Sequence, residues 1–189
     1  MALRPELGLM VGLKRGTVKL VPHNKKWTGI FEKEKKLFQK TFGDTIIAIE
    51  HIGSTAIPGI PAKPVIDMNV GVKSLQVARR MKGKLEEIGY EHRPFVPDHT
   101  KSDLKWQELY VKGPEARRTH YVHVSVYGGN YWKNDLLFRD YLRKHPIVAK
   151  QYANLKRGLA KDFADDRGSY TATKEKFIRD LLKKAEIKK

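Results

Sequence analysis

The stretch from Gly53 to Pro64 carries two glycines and three prolines, and β-branched runs border it on both sides, Ile46 to Ile52 and Val65 to Val72. Proline donates no N–H and fixes its own φ, so neither a helix interior nor a central strand can run through it. The stretch is therefore a structured loop between two strands, with room for one helical turn. Val65 to Val72 also alternates. Ile66, Met68, Val70 and Val72 face one way, while Val65, Asp67, Asn69 and Gly71 face the other.

Around this centre the remaining pattern is mixed. Residues 1–16 read as a frayed lead-in and Thr17 to Val21 as a short strand. Asn24 suits a helix N-cap, and Trp27, Ile30, Phe31, Phe38 and Phe42 recur at helical spacing up to Gly43. Ser74 caps a further helix to about Ile88 with Val77, Met81, Leu85 and Ile88 on its buried side. Gly89 ends it, and Pro94 to Lys105 is a polar connection. Trp106 to Val111 and Thr119 to Tyr127 read as strands around a Gly113–Pro114 turn. In the second, Val122, Val124 and Val126 face the core, with Tyr121, His123 and Ser125 on the other side. Beyond Tyr131 three amphipathic helices follow, carrying Leu137 and Tyr141, then Val148 to Phe163, then Phe177 to Leu182. The expected fold class is α/β, an α+β mixed sheet with C-terminal helices. The expected organisation is a lead-in over 1–16 and one domain over 17–189, helical from about 131.

Composition limits the chemistry. The 189 residues hold no cysteine, which removes disulfides, thiolate zinc sites and a cysteine nucleophile. No apolar run of about 18 residues is present, and Met1 to Leu13 lacks the pattern of a secretory signal. A soluble, cytoplasmic protein is the expectation. With 38 Lys+Arg against 21 Asp+Glu the net charge is +17. The excess is spread along the chain, which favours a solvated basic surface over a polyanionic partner such as nucleic acid, phospholipid headgroups or a phosphorylated metabolite.

The strongest chemical candidate is the strand that ends in Gly53-Ser54 beside the strand that presents Asp67. A glycine there lets backbone N–H groups and the serine hydroxyl approach phosphate oxygens. An acid in the apolar run Pro64 to Val70 is costly without a task, and a carboxylate there can hold a divalent metal bridging the same phosphates. Its structural alternative is a pair with Lys63 or an arginine. His120 and His123 lie on opposite faces of one strand, so they form no strand-based metal pair; His123 is the better ligand or base. Lys63, Arg118, Arg139 and Lys174 are candidate triphosphate contacts, with Lys174 read as a surface charge first. Trp106, Tyr121, Tyr127 and Trp132 either stack on a base or fill the core.

These residues carry a resemblance. Ile49-Glu-His-Ile-Gly-Ser-Thr-Ala-Ile-Pro-Gly59 followed by Lys63-Pro-Val-Ile-Asp67 resembles the GrpB-like proteins of the nucleotidyltransferase superfamily. So do Arg118-Thr-His-Tyr-Val-His123-Val, Phe138-Arg-Asp-Tyr-Leu142 and Tyr170-Thr-Ala-Thr-Lys174, over roughly residues 14–186. The resemblance implies a nucleotidyltransferase-type core that binds a nucleoside triphosphate and transfers its nucleotidyl group. In that reading Asp67 and His123 are catalytic, and Asp67, Asn69 and His123 hold a divalent metal, Mg²⁺ or Mn²⁺. Gly53, Ser54, Thr55, Lys63, Arg118, His120 and Arg139 bind substrate. Two departures stand out: Asn69 and His123 occupy positions where the superfamily has acids. The alternative is a degenerate member that binds a nucleotide, a phosphorylated metabolite or RNA without turnover. Similar segments fused to dephospho-coenzyme A kinases suggest a link to coenzyme A metabolism. This chain has no Gly-x-x-x-x-Gly-Lys-Ser/Thr loop, so it is not that kinase.

Overall fold

The structure, a computed structural model, describes residues 11–94 and 106–187. The expected connection from Pro94 to Lys105 lies, past Pro94, outside the described residues, as do residues 1–10. The elements are α1 (Lys26–Phe42), β1 (Ala48–Ile52), β2 (Ile66–Val72), α2 (Leu75–Arg80), α3 (Lys82–Glu87), β3 (Tyr90–Arg93), β4 (Gln107–Lys112), β5 (His120–Val126), α4 (Asn130–Lys144), α5 (Pro146–Asp162) and α6 (Arg167–Ile187).

The strands form one five-stranded sheet in the order β1-β2-β5-β4-β3. β2 and β5 pair in parallel; every other pair is antiparallel. This is the mixed sheet with helices that the hydropathy pattern predicts. Ile66, Met68, Val70 and Val72 join Val122 and Val124 against Trp27, Phe31 and Phe38 of α1 and Met81 and Leu85 of the α2–α3 segment. The opposite face carries Asp67, Asn69, Tyr121 and His123 and is covered by α4, which packs on β1, β2 and β5. A second apolar cluster joins Ile57 and Ile60 of the loop to Phe138 and Leu142 of α4, Tyr152 of α5 and Leu181 of α6. The proline-rich loop thus lies between the sheet and the C-terminal helices.

Several local expectations change. Asn24 accepts a hydrogen bond from the Lys26 N–H at 2.9 Å, but it stands one residue ahead of the N-cap, Lys25, which makes no side-chain cap bond. Thr17 to Val21 is no strand: only Val21 pairs, in a bridge to Ala62. Val18 instead packs with Leu159 and Tyr170 and donates its N–H to the Ala164 carbonyl, so the C-terminal helices claim the segment. Residues 11–16 are not frayed either. Val11 is in the main core, Gly12 donates to the Pro64 carbonyl, and Leu13 pairs with Arg118. The helix expected from Ser74 to Ile88 breaks at Met81, whose N–H turns back to the Ala78 carbonyl; Ser74 still caps it. β3 has no β-branched residue and is invisible to strand patterning. It forms as a short, charged edge on β4, a common way to blunt a sheet edge.

α4 is tied to β1 by Arg139. Its Nη1 donates to Glu50 Oε2 at 2.6 Å and to the His51 carbonyl at 3.0 Å, and its Nε donates to Asp140 at 2.8 Å. Truncation would leave Glu50 and a carbonyl without their partner. Arg139→Ala is expected to cost about 2 kcal/mol, below the range for fully buried pairs because the acids are part-exposed. Urea unfolding checks this as a lower midpoint at an unchanged slope.

Candidate functional site

The sheet face under α4 opens into a cleft of about 600 Å³ between the ends of β2 and β5, the loop after β1, and α5 and α6. Gly53 and Ser54 form one wall. Gly53 has φ 66° and ψ −171°, a conformation that L side chains scarcely adopt, and a Cβ there would stand 2.5 Å from Asp67 Oδ2. The close approach of the turn to the acid therefore requires glycine. Ser54 lies against the Tyr152 phenol of α5. Thr55 is held from beneath: its hydroxyl is 3.0 Å from His51 Nε2, and the His51 ring stacks on Phe31 at 4.8 Å.

Asp67 projects into this cleft. Among the described residues no ion pair within 4.0 Å holds it, but Lys63, Lys174 and Arg167 all act on it. Burial raises its pKa, against the pull of those three cations. Lys63 is pushed down to about 7, first by burial and then by Lys174 and Arg167, with Asp67 opposing. Lys63 and Lys174 both stand over the Tyr170 ring, at 5.3 Å and 5.8 Å. Arg167 donates to the Tyr121 hydroxyl at 2.7 Å and lies over the same ring. Seven Lys or Arg side chains against three Asp or Glu line the cleft, so its field is positive.

The expected metal trio meets a different arrangement. β2 and β5 place Asn69 directly beside His123. The Asn69 oxygen accepts from the Ser125 hydroxyl at 2.7 Å, and its amide donates to Asp135 of α4 at 2.8 Å. Asn69 therefore supports Asp135, which lines the cleft, and is itself absent from the lining. His123 Nδ1 faces the Gln107 oxygen at 2.5 Å and the Tyr131 hydroxyl at 3.0 Å. Donation of that Nδ1–H to Gln107 leaves Nε2 as the acceptor. Burial, then Arg167, pushes His123 down to about 4, so it is neutral at physiological pH. A committed amide, a half-committed imidazole and one carboxylate among cations do not fit a hard divalent cation.

Of the expected substrate contacts, Gly53, Ser54, Thr55 and Lys63 line the cleft. Arg118 borders it, but its guanidinium is bound to Glu91 at 2.7 Å and to the Gly113 carbonyl, so it fastens the β4–β5 turn. Arg139 is spent on β1. His120 faces the other side of the sheet, 4.0 Å from Glu34 Oε2, beside Lys112 and Tyr90. It cannot reach the cleft, because its separation from His123 along the strand is odd. Trp132 is core, packed on Tyr127, whereas Trp106 and Tyr121 line the cleft. Lys174, read first as a surface charge, is a cleft residue. No motif in the sequence marks Arg167, Lys156 or Asp135 as cleft residues. The period of α6 carries the only available signal, since Arg167, Thr171, Lys174 and Ile178 share one helical face.

The family model for GrpB protein matches residues 17–184. This chain belongs to the GrpB family. It is 38% identical to the glutamate-rich protein GrpB of Alkalihalophilus pseudofirmus over 92% of this chain and 98% of that protein. It is 36% identical to the UPF0157 protein YqkA of Bacillus subtilis, over 89% of this chain and 47% of YqkA. A dephospho-CoA kinase of Mycobacterium leprae matches at 28% identity, and 46% of its length is covered. The crystal structure of the conserved protein GrpB from Enterococcus faecalis superposes with a TM-score of 0.77 at 31% identity, covering 90% of this chain and 98% of that one. The shared mixed sheet is consistent with a nucleotidyltransferase-type core. Among the described residues no helix is long and apolar enough to cross a membrane.

Two measurements follow from this geometry. Gly53→Ala is expected to destabilise by about 1–3 kcal/mol, the range for a side chain forced into such a conformation, and a thermal melt reads it. His51, His120 and His123 are held at about 3, 4 and 4, chiefly by burial, against 6.5 outside the fold. Between those values the unfolded chain binds more protons, so stability drops as pH falls from about 6.5 toward 4. Melting temperatures should decline steeply from about pH 7 to pH 5, and less steeply in His120→Gln; a flat profile would contradict the buried neutral histidines.

Proposed function

We propose that the cleft binds a phosphorylated small molecule, with its anionic end on the Gly53–Ser54 turn among Lys63, Arg167 and Lys174. One observation carries this reading: three cations from two elements, Lys63 of the loop and Arg167 and Lys174 of α6, converge on the Asp67 carboxylate without closing an ion pair on it. Such a cluster repels itself, and an anion is the ligand that relieves it. Glycine at the turn lets an oxygen-bearing group come close to the backbone, as Asp67 Oδ2 does, and this supports a phosphate beside it. Tyr121 and Trp106 offer flat faces for a base at the cleft edge. The ligand class therefore includes nucleotides, and the likeness to a dephospho-CoA kinase segment puts dephospho-coenzyme A in the test panel.

Binding is favoured over two-metal nucleotidyl transfer, because the Asn69 amide is turned to Ser125 and Asp135. For transfer chemistry, the unprotonated Nε2 of His123 is the acceptor nitrogen at the cleft, though burial leaves it a weak base. RNA suits the +17 chain in general but not this site, whose charges are gathered inside a cleft.

Thermal shift with ATP, GTP, CTP, UTP and dephospho-coenzyme A, each in EDTA and in Mg²⁺ or Mn²⁺, tests the reading. A ligand at about a hundred times its Kd stabilises by roughly 2.7 kcal/mol, and that gain should persist in EDTA. Lys63→Met should weaken binding about tenfold, roughly 1.4 kcal/mol. Stabilisation that vanishes in EDTA restores the metal, and pyrophosphate release restores the transferase. No stabilisation by any member of the panel overturns the site.

A further inference from the structure

Lys156 of α5 is only 1% exposed. Its Nζ stands 4.8 Å from the centre of the Tyr152 ring and donates one hydrogen bond, to the Pro61 carbonyl. A charged ammonium has three N–H groups to satisfy, and burying it beside neutral groups alone is very costly. Its surroundings add to that cost. Lys63 faces it from the loop, Lys174 from α6 and Arg157 from its own helix. The Tyr152 and Tyr170 phenols are pushed upward and stay neutral. Asp67 acts on Lys63 and Tyr152 and is absent from the charges acting on Lys156. Burial first, then Lys174, Lys63 and Arg157, holds the amine at about 6, so in the free protein it is uncharged at neutral pH.

A methionine or leucine would fill this space without such a penalty. What the lysine adds is a charge that can be switched on. It borders the same cleft as Lys63, Arg167 and Lys174, and it grips the loop that begins with Gly53 and Ser54. We infer that Lys156 is a reserve cation of the cleft, taking up a proton when a polyphosphate-class anion enters, so that bound charge is neutralised by lysines in place of a divalent metal. The inference rests on the reading of the cleft as a phosphate site and names what that site prefers: adjacent anionic groups over a single one. An ordinary lysine titrates near 10.4. Between about 6 and that value the unfolded chain binds the extra proton, so the free protein gains stability as pH rises. The bound state reverses the sign, because the ligand favours charged Lys156, and affinity rises as pH falls through the same window, by at most about tenfold per pH unit for one proton.

The experiment is an NMR titration of the full chain labelled at lysine Cε, in EDTA, without and with saturating inorganic triphosphate. Lys156→Met assigns the resonance, and Lys156→Arg does so if that variant does not fold. The expected result is a Lys156 signal that titrates near 6 in the free protein and is still protonated above about pH 8 with triphosphate bound. Affinity, measured between about pH 7 and 9, should rise toward low pH more steeply in the parent than in Lys156→Met. A Lys156 that is charged at neutral pH in the free protein, or neutral while other cleft lysines report bound triphosphate, overturns this inference and leaves the cleft reading standing. If triphosphate, pyrophosphate and phosphate leave every lysine signal unmoved, the cleft reading itself falls and takes the inference with it.

Discussion

The parallel pairing of β2 with β5 is the contact on which the rest of this structure depends. Every other strand pair is antiparallel, so this one alone sets two strand ends side by side at the same edge of the sheet. The register puts Asp67 beside Tyr121 and Asn69 beside His123. Because partners in register share a face, four polar or aromatic side chains lie together under α4. The hydrophobic partners Met68 with Val122 and Val70 with Val124 go to the other face, under α1. A shift by one residue would exchange the two sets. Hydrophobic burial thus enforces the polar site without contributing an atom to it.

Buried ionisable groups divide by their task. Under α1, Glu34 takes bonds from Tyr90 and Lys112, and its pKa is lowered because nearby His120 and Lys112 outweigh its burial. That cluster is closed on itself, apart from His120 Nε2, which has no hydrogen-bond partner among the described residues. Arg139 of α4 and Arg118, just before β5, are likewise engaged with carboxylates and carbonyls. The lysines around Asp67 differ. Lys156 is buried, Lys63 and Lys174 are half-buried, and they crowd one another with like charge, a condition that the proposed anion would relieve.

This contrast explains which site residues could be read in the chain. Gly53, Ser54 and Asp67 announce themselves, since glycine after a strand and an acid inside an apolar run both break local rules. Arg118, Arg139 and His120 looked equivalent to Lys63 as candidates because a charge carries no sign of its partner. Glu50 and Glu91 took the two arginines, and strand parity sent His120 to the far face. Lys156, Arg167 and Asp135 lie far from the motif in the chain and reach the cleft only after α4, α5 and α6 fold over the sheet. β3 escaped detection for a related reason: Tyr90–Arg93 has no intrinsic strand pattern and is made extended by β4.

Sequence alone determined the periodic elements: α1 with its aromatic stripe, the alternation of β2 and β5, the proline-bounded loop and the C-terminal helices. These follow from hydrophobic period and from backbone limits on glycine and proline, which act over a few residues and need no partner. It determined as well that Asp67 and Asn69 share a face. Only the tertiary structure decided that Asn69 serves Asp135, that Val18 belongs to the helices, and that Lys63, Lys156, Lys174 and Arg167 meet in one cleft. Those outcomes depend on which charge finds which counter-charge across the chain. That choice is set by burial and distance, and neither exists until the layers have packed.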